Sequence, residues 1–154
     1  MKTVDKFHAI PVLYPVADAF NGTINTDIVD VQGEGILFEI VKGIGATGTS
    51  TVTVDACSTI GPAATTAVDF IYRISTTPDT WGEWTATALA AGFVTTAGSN
   101  QMYQVYVDAS ELAATGYRFA RLHAVEVVSN AVTGCVNAYV VNPHYVVQPE
   151  SLLD

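Results

Sequence analysis

The chain has 154 residues, 49% of them hydrophobic and only 14% charged, with 15 Asp and Glu set against 6 Lys and Arg for a formal net of −9. That length is one domain's worth, and it buries enough surface to fold without a metal or a disulfide framework. The cations Lys2, Lys6, Lys42, Arg73, Arg118 and Arg121 are scattered, so no basic patch can displace counterions from phosphates, and direct nucleic-acid binding is excluded.

The first residues, Met1-Lys2-Thr3-Val4-Asp5-Lys6, carry no apolar core and no small-residue cleavage site, so no signal peptide is expected. No later stretch approaches the roughly 18 consecutive apolar residues of a membrane helix. Synthesis in a cytoplasm, away from membranes, is the expectation. Residues 1–33 then read as an extended N-terminal arm and lead-in, and residues 34–154 as the folded domain. In Ile10-Pro11-Val12-Leu13-Tyr14-Pro15-Val16 the prolines break a helix and withhold ladder donors, which suits an arm or an edge strand. Ile10, Val12, Leu13 and Val16 are too apolar for a solvated tail. They are expected to cover a neighbouring subunit, because the text from Ile36 onward looks long enough to close by itself. Deleting residues 1–18 is accordingly expected to leave the body folded.

Strand signals follow at short intervals: 36–42, 50–56, 68–74, 102–107, 119–128 and 135–141. Val68, Phe70, Tyr72 and Ile74 share one face while Asp69 and Arg73 point away. Tyr103, Val105 and Val107 do the same, as do Ala120, Leu122 and Ala124 against Arg121 and His123. This alternation marks strands with one face on a core. Only Asp108 to Gly116 reads helical, with an Asp-x-x-Glu start and a terminal glycine. The fold class is therefore all-β: an antiparallel β-sandwich, jelly-roll or immunoglobulin-like, with one short helix.

Few motifs suggest chemistry. Gly43-Ile44-Gly45-Ala46-Thr47-Gly48 matches G-x-G-x-x-G, but a nucleotide site needs a helix next. The β-branched run Thr49-Ser50-Thr51-Val52-Thr53-Val54 predicts a strand instead, with the glycines forming a hairpin loop at positive φ. Cys57 and Cys135 have no metal-binding spacing and read as free, largely buried thiols. His8, His123 and His144 show no ligand spacing, no Asp-rich calcium loop occurs, and Asp55 with Asp69 is the one carboxylate pair to weigh. No cofactor, metal or catalytic residue is expected, and the chain reads as a non-enzyme. Trp81-Gly82-Glu83-Trp84 admits two readings: a platform for sugar rings, which would make this a carbohydrate-binding module, or aromatic anchors packed on the domain or in an interface.

The phrases Lys42–Gly48 into Thr51–Cys57, Phe70–Arg73, Asp79–Thr85, Tyr106–Leu112 and Gly116–Leu122, in this order, resemble small virion structural proteins of tailed bacteriophages. The likeness covers roughly residues 22–145. It implies a capsid decoration, or cement, protein on the virion surface, bridging subunits of the major capsid protein. It also implies a homo-oligomer, a trimer being one form. A tail or head–tail connector protein would share these phrases. Ile10, Val12, Leu13, Val16, Trp81 and Trp84 are the residues expected to meet the partner.

Overall fold

A computed structural model describes residues 7–45, 47–77, 79–88 and 91–144. The strands are β1 (Phe7–Val16), β2 (Thr23–Asn25), β3 (Val29–Asp30), β4 (Gly35–Lys42), β5 (Thr49–Cys57), β6 (Thr65–Ala67), β7 (Phe70–Ser75), β8 (Thr85–Thr87), β9 (Phe93–Val94), β10 (Gln101–Asp108), β11 (Phe119–Val128) and β12 (Gly134–Val141). They form two antiparallel sheets. The first runs β1-β12-β4-β10-β7-β8; the second runs β2-β11-β5-β6, with β3 added beside β11 and β9 beside β5. The predicted sandwich is present, and period-two alternation builds it. Tyr103, Val105 and Val107 from the first sheet are fully buried against Val52, Val54 and Leu122 from the second. At one flank of the core, Phe93 stacks on Tyr72 at 4.1 Å and meets Phe70 edge-on at 6.2 Å.

The helix α1 (Ala109–Thr115) lies where its capping signals put it. Asp108 leaves the sheet in an extended conformation and accepts from the Ser110 backbone N–H at 2.9 Å and the Ser110 hydroxyl at 2.6 Å. The Ser110 hydroxyl, then its N–H, hold the Asp108 carboxyl below its ordinary pKa. Gly116 ends the helix at φ 81°, a left-handed conformation open to glycine.

The arm is not an arm. β1 pairs along its length with β12, from Phe7 opposite Val141 to Val16 opposite Gly134. Ile10 and Val12 are each 2% exposed and belong to the core. Leu13 packs partly against it, and Val16 stays exposed. Of the two readings that the prolines allowed, an arm or an edge strand, the edge strand is the one present, and Pro11 and Pro15 sit on the sheet's outermost strand where missing donors cost little. Ile10 and Val12 are not free to dock on a neighbour, because the first sheet uses β1 to cover its own β12. A division at residue 33/34 therefore separates no independent units among the described residues, while residues 145–154 of the proposed domain lie outside them.

The glycine segment also differs from expectation. β5 does follow it, so no nucleotide-binding helix forms. Yet β4 lies in the first sheet and β5 in the second, so the connection is a crossover between layers and not a hairpin. Gly43, Gly45 and Gly48 are not among the positive-φ residues. Glycine is required here by crowding: a Cβ on Gly48 would collide with Val132 Cγ2, and one on Gly45 would come within 2.7 Å of it. Lys42 secures the same corner. Its buried Nζ donates to the carbonyls of Gly48 at 2.8 Å and Thr96 at 2.7 Å, and burial lowers its pKa.

Cys57 and Cys135 are free, one in each sheet. Cys57 is fully buried, and burial pushes its thiol up to about 11 despite the opposing charge of Arg121. Cys135 is half-buried. Native alkylation by iodoacetamide near pH 8 should modify Cys135 at least about tenfold faster than Cys57, since the thiolate is the nucleophile. Peptide mass mapping over time reads the ratio; equal rates would mean that the second sheet opens locally.

Candidate partner-binding face

The outward side of the first sheet is built from residues that the core-facing pattern leaves over. Three rows cross it. Tyr139, Leu37, Tyr106 and Ile71 stand side by side on β12, β4, β10 and β7. Two residues along, Asn137, Glu39, Gln104 and Arg73 form the next row, and Cys135, Val41, Met102 and Ser75 the third. All twelve are half-buried, shielded by one another but by no further layer.

The middle row is internally satisfied. Arg73 donates from Nε at 2.8 Å and Nη2 at 2.6 Å to Gln104 Oε1, and Gln104 Nε2 donates to Glu39 Oε2 at 3.0 Å. Its cation and anion thus cancel through one amide. A covering surface would not have to bury an unpaired charge, which is the costly case. The flanking rows are apolar or weakly polar. Burial, then the Glu39 charge, raises the pKa of both Cys135 and Tyr139.

Trp81 and Trp84 join this face. The segment after β7 folds back so that Gly82 N–H donates to the Ile74 carbonyl at 2.9 Å. Arg73 then lies over both indoles, 4.8 Å from the Trp81 ring centroid and 4.6 Å from that of Trp84. Each ring thereby gives a face to a cation, an attractive contact. One arginine thus lies over both rings, while Trp84 stays 42% exposed.

At one end the face runs into a pocket of about 610 Å³, with Ile71, Ala86 and Tyr106 as its apolar wall and Asp69, Asp108 and Glu111 among its lining. Burial and then the charges of Asp108 and Glu34 raise the pKa of the Tyr106 phenol. At the other end a second hollow of about 400 Å³ is lined by Val16, Val41 and Cys135.

Of the residues expected to meet a partner, the structure brings Trp81 and Trp84 onto this face and Val16 to its end. Ile10 and Val12 are withdrawn into the core. Asp55 does not pair with Asp69: its Oδ2 accepts from Arg121 Nε at 3.2 Å and Nη2 at 3.1 Å. His123 Nδ1 lies 2.8 Å from Asn25 Oδ1, and His144 donates its backbone N–H to Gln32. The side chain of His8 lies outside the described residues. Leu37, Ile71, Tyr106 and Tyr139 were missed, although a signal existed. Each interrupts the alternation with an apolar residue where a solvated face would carry a polar one, as in Ile36-Leu37-Phe38 and Val105-Tyr106-Val107. Unbroken apolar runs mark strands covered on both faces.

No protein-family model and no curated protein matches the sequence. A solved structure of infectious bursal disease virus, Gx strain, is similar at 17% identity and a TM-score of 0.41, over 94% of this chain and 36% of that one. A mutant VP2 protein of the same virus, in derived T=1 particles, is similar at 14% identity and a TM-score of 0.23, over 97% of this chain and 45% of that one. This chain spans less than half the length of either, and scores this low carry no statement about what it does.

Proposed function

We propose that this chain is a structural virion protein that works by contact and not by catalysis, and specifically a capsid decoration protein on the outside of the head. Its partner is then the major capsid protein, whose subunits it bridges, and the working form is a homo-oligomer. The observation that carries this reading is the outer face of the first sheet: two half-buried, largely apolar rows flanking a charge-balanced polar row, with the exposed Trp84 beside them, on a sandwich that is otherwise acidic. Large exposed apolar faces on small domains mark association sites. The likeness of the sequence phrases to phage virion proteins supplies the setting.

Trp81, Trp84, Leu13 and Val16 are the expected partner residues that remain available to this reading. Two indoles held under one arginine are suited to anchor an interface, where Trp and Arg are enriched. The experiment is the copy number of the chain in purified particles by quantitative mass spectrometry. Hundreds of copies are expected. A handful would point to a tail or head–tail connector protein, and absence from particles would refute a virion role.

A further inference from the structure

The chemistry of the partner can be read from charge. Lys2 and Lys6 lie outside the described residues, which leaves Lys42, Arg73, Arg118 and Arg121 as the described cations. Each is engaged. Lys42 is buried on two carbonyls. Arg73 is held by Gln104 and lies over two indoles. Arg118 pairs with the buried Asp30 at 2.9 Å, and Arg121 with Asp55 at 3.1 Å.

The carboxylates are placed differently. Glu34, Asp108 and Glu111 are exposed at the end of the outer face where β4 begins and β10 ends, and Asp79 and Glu83 are exposed in the segment that carries the tryptophans. The face is therefore two largely apolar rows flanking an internally hydrogen-bonded polar row, edged by anions, with no uncommitted described cation beside it.

We infer that this face docks a different protein, one whose contact surface has an apolar centre edged by Lys and Arg. A second copy fits badly, because it brings no uncommitted described cation to meet these carboxylates and adds only further anions, and like charges across an interface select against a partner. A cationic rim gains on both counts. The pocket beside Tyr106 suits a lysine or arginine at the edge of that surface: Ile71 and Ala86 receive the aliphatic stem, and Asp108 and Glu111 receive the head. Contacts between copies are left to other surfaces, such as the end of β11, where Val125, Val127 and Val128 are exposed.

The inference rests on reading the chain as an assembly component, but its test needs no virion. The ¹⁵N-labelled full chain is titrated with the capped hexapeptide acetyl-(Lys-Leu)₃-amide and with its (Glu-Leu)₃ counterpart, following amide shifts. Perturbations are expected at Leu37, Ile71 and Tyr106, with the glutamate peptide at least about tenfold weaker and Glu111→Lys weakening the lysine peptide severalfold. Equal binding of both peptides, shifts confined to the second sheet, or no binding at all would overturn it. So would sedimentation of the chain alone as an oligomer that Tyr106→Arg dissociates. Should the chain be absent from particles while the lysine peptide maps to the face, the virion reading fails and the docking face stands.

Discussion

A chain lacking residues 1–18 is expected to lose its cooperative thermal transition. β1 contributes Ile10 and Val12 to the core, and each fully buried aliphatic side chain stabilises by about 1.5–3 kcal/mol. The loss does not stop there. β12 carries Val136, Ala138 and Val140, all fully buried, and β1 is its neighbour on the outer side. Without β1 the β12 ladder becomes an open edge and water reaches the side chains beneath it. Asp27 also donates its backbone N–H to the Val12 carbonyl at 3.0 Å, a tie between the two layers that goes with it. Domains of this size have about 5–15 kcal/mol in hand, so a loss of several kcal/mol plus an opened sheet is enough to unfold most of the population. Differential scanning calorimetry and far-UV circular dichroism of the truncated chain check this; a folded domain with an unchanged Tm would return β1 to the status of an arm.

That outcome bears on what the residues reveal unaided. Proline at positions 11 and 15 announces an edge strand whichever molecule supplies the sheet, because the missing N–H is a local property. Whose edge it is depends on β12, more than a hundred residues away, and pairing at that distance leaves no local trace. The crossover after Lys42 was hidden for the same reason. A glycine-rich link between two strands looks alike whether it turns within a sheet or steps between sheets, and only the crowding by Val132 distinguishes them. By contrast the helix was legible to within a residue, since Asp108, Ser110 and Gly116 act within a single turn of chain. The short strands β2, β3, β6, β8 and β9 carry too few residues for alternation to register. The outer face lay in plain view as unbroken apolar runs, but reading it required knowing that neighbouring strands place those runs in one row.

Tyr103→Ala should be among the most damaging single substitutions, at about 3–5 kcal/mol by the usual cost of removing a buried large aromatic side chain. Tyr103 is fully buried, and its ring lies 5.7 Å from Phe93 in the aromatic cluster. Its hydroxyl donates to Gln101 Oε1 at 2.7 Å and accepts from the Thr96 N–H at 3.0 Å. Burial raises the phenol's pKa, with the Thr96 bonds opposing, so the group stays a neutral donor at ordinary pH. Tyr103→Phe separates the two contributions: it keeps the ring and strands Gln101 Oε1 and the Thr96 N–H, for about 1–3 kcal/mol. Urea denaturation of the three proteins measures both, and a Tyr103→Ala protein within about 1 kcal/mol of the original would mean that the ring is not in the core.

The most direct measurement of the central claim is co-sedimentation of the full chain with the empty expanded shells that the proposed decoration role requires. Three proteins are compared: the original, Ile71→Asp on the outer face of the first sheet, and Val127→Asp at the exposed end of β11. Each is first shown to melt as the original does. Saturable binding by the original is expected, with Ile71→Asp weakened at least about 30-fold, the loss of an interface anchor worth about 2 kcal/mol or more. Val127→Asp should bind within about threefold of the original, the effect of a residue outside the contact. Shells that do not bind the original, or that bind Ile71→Asp as well as the original, would contradict the account.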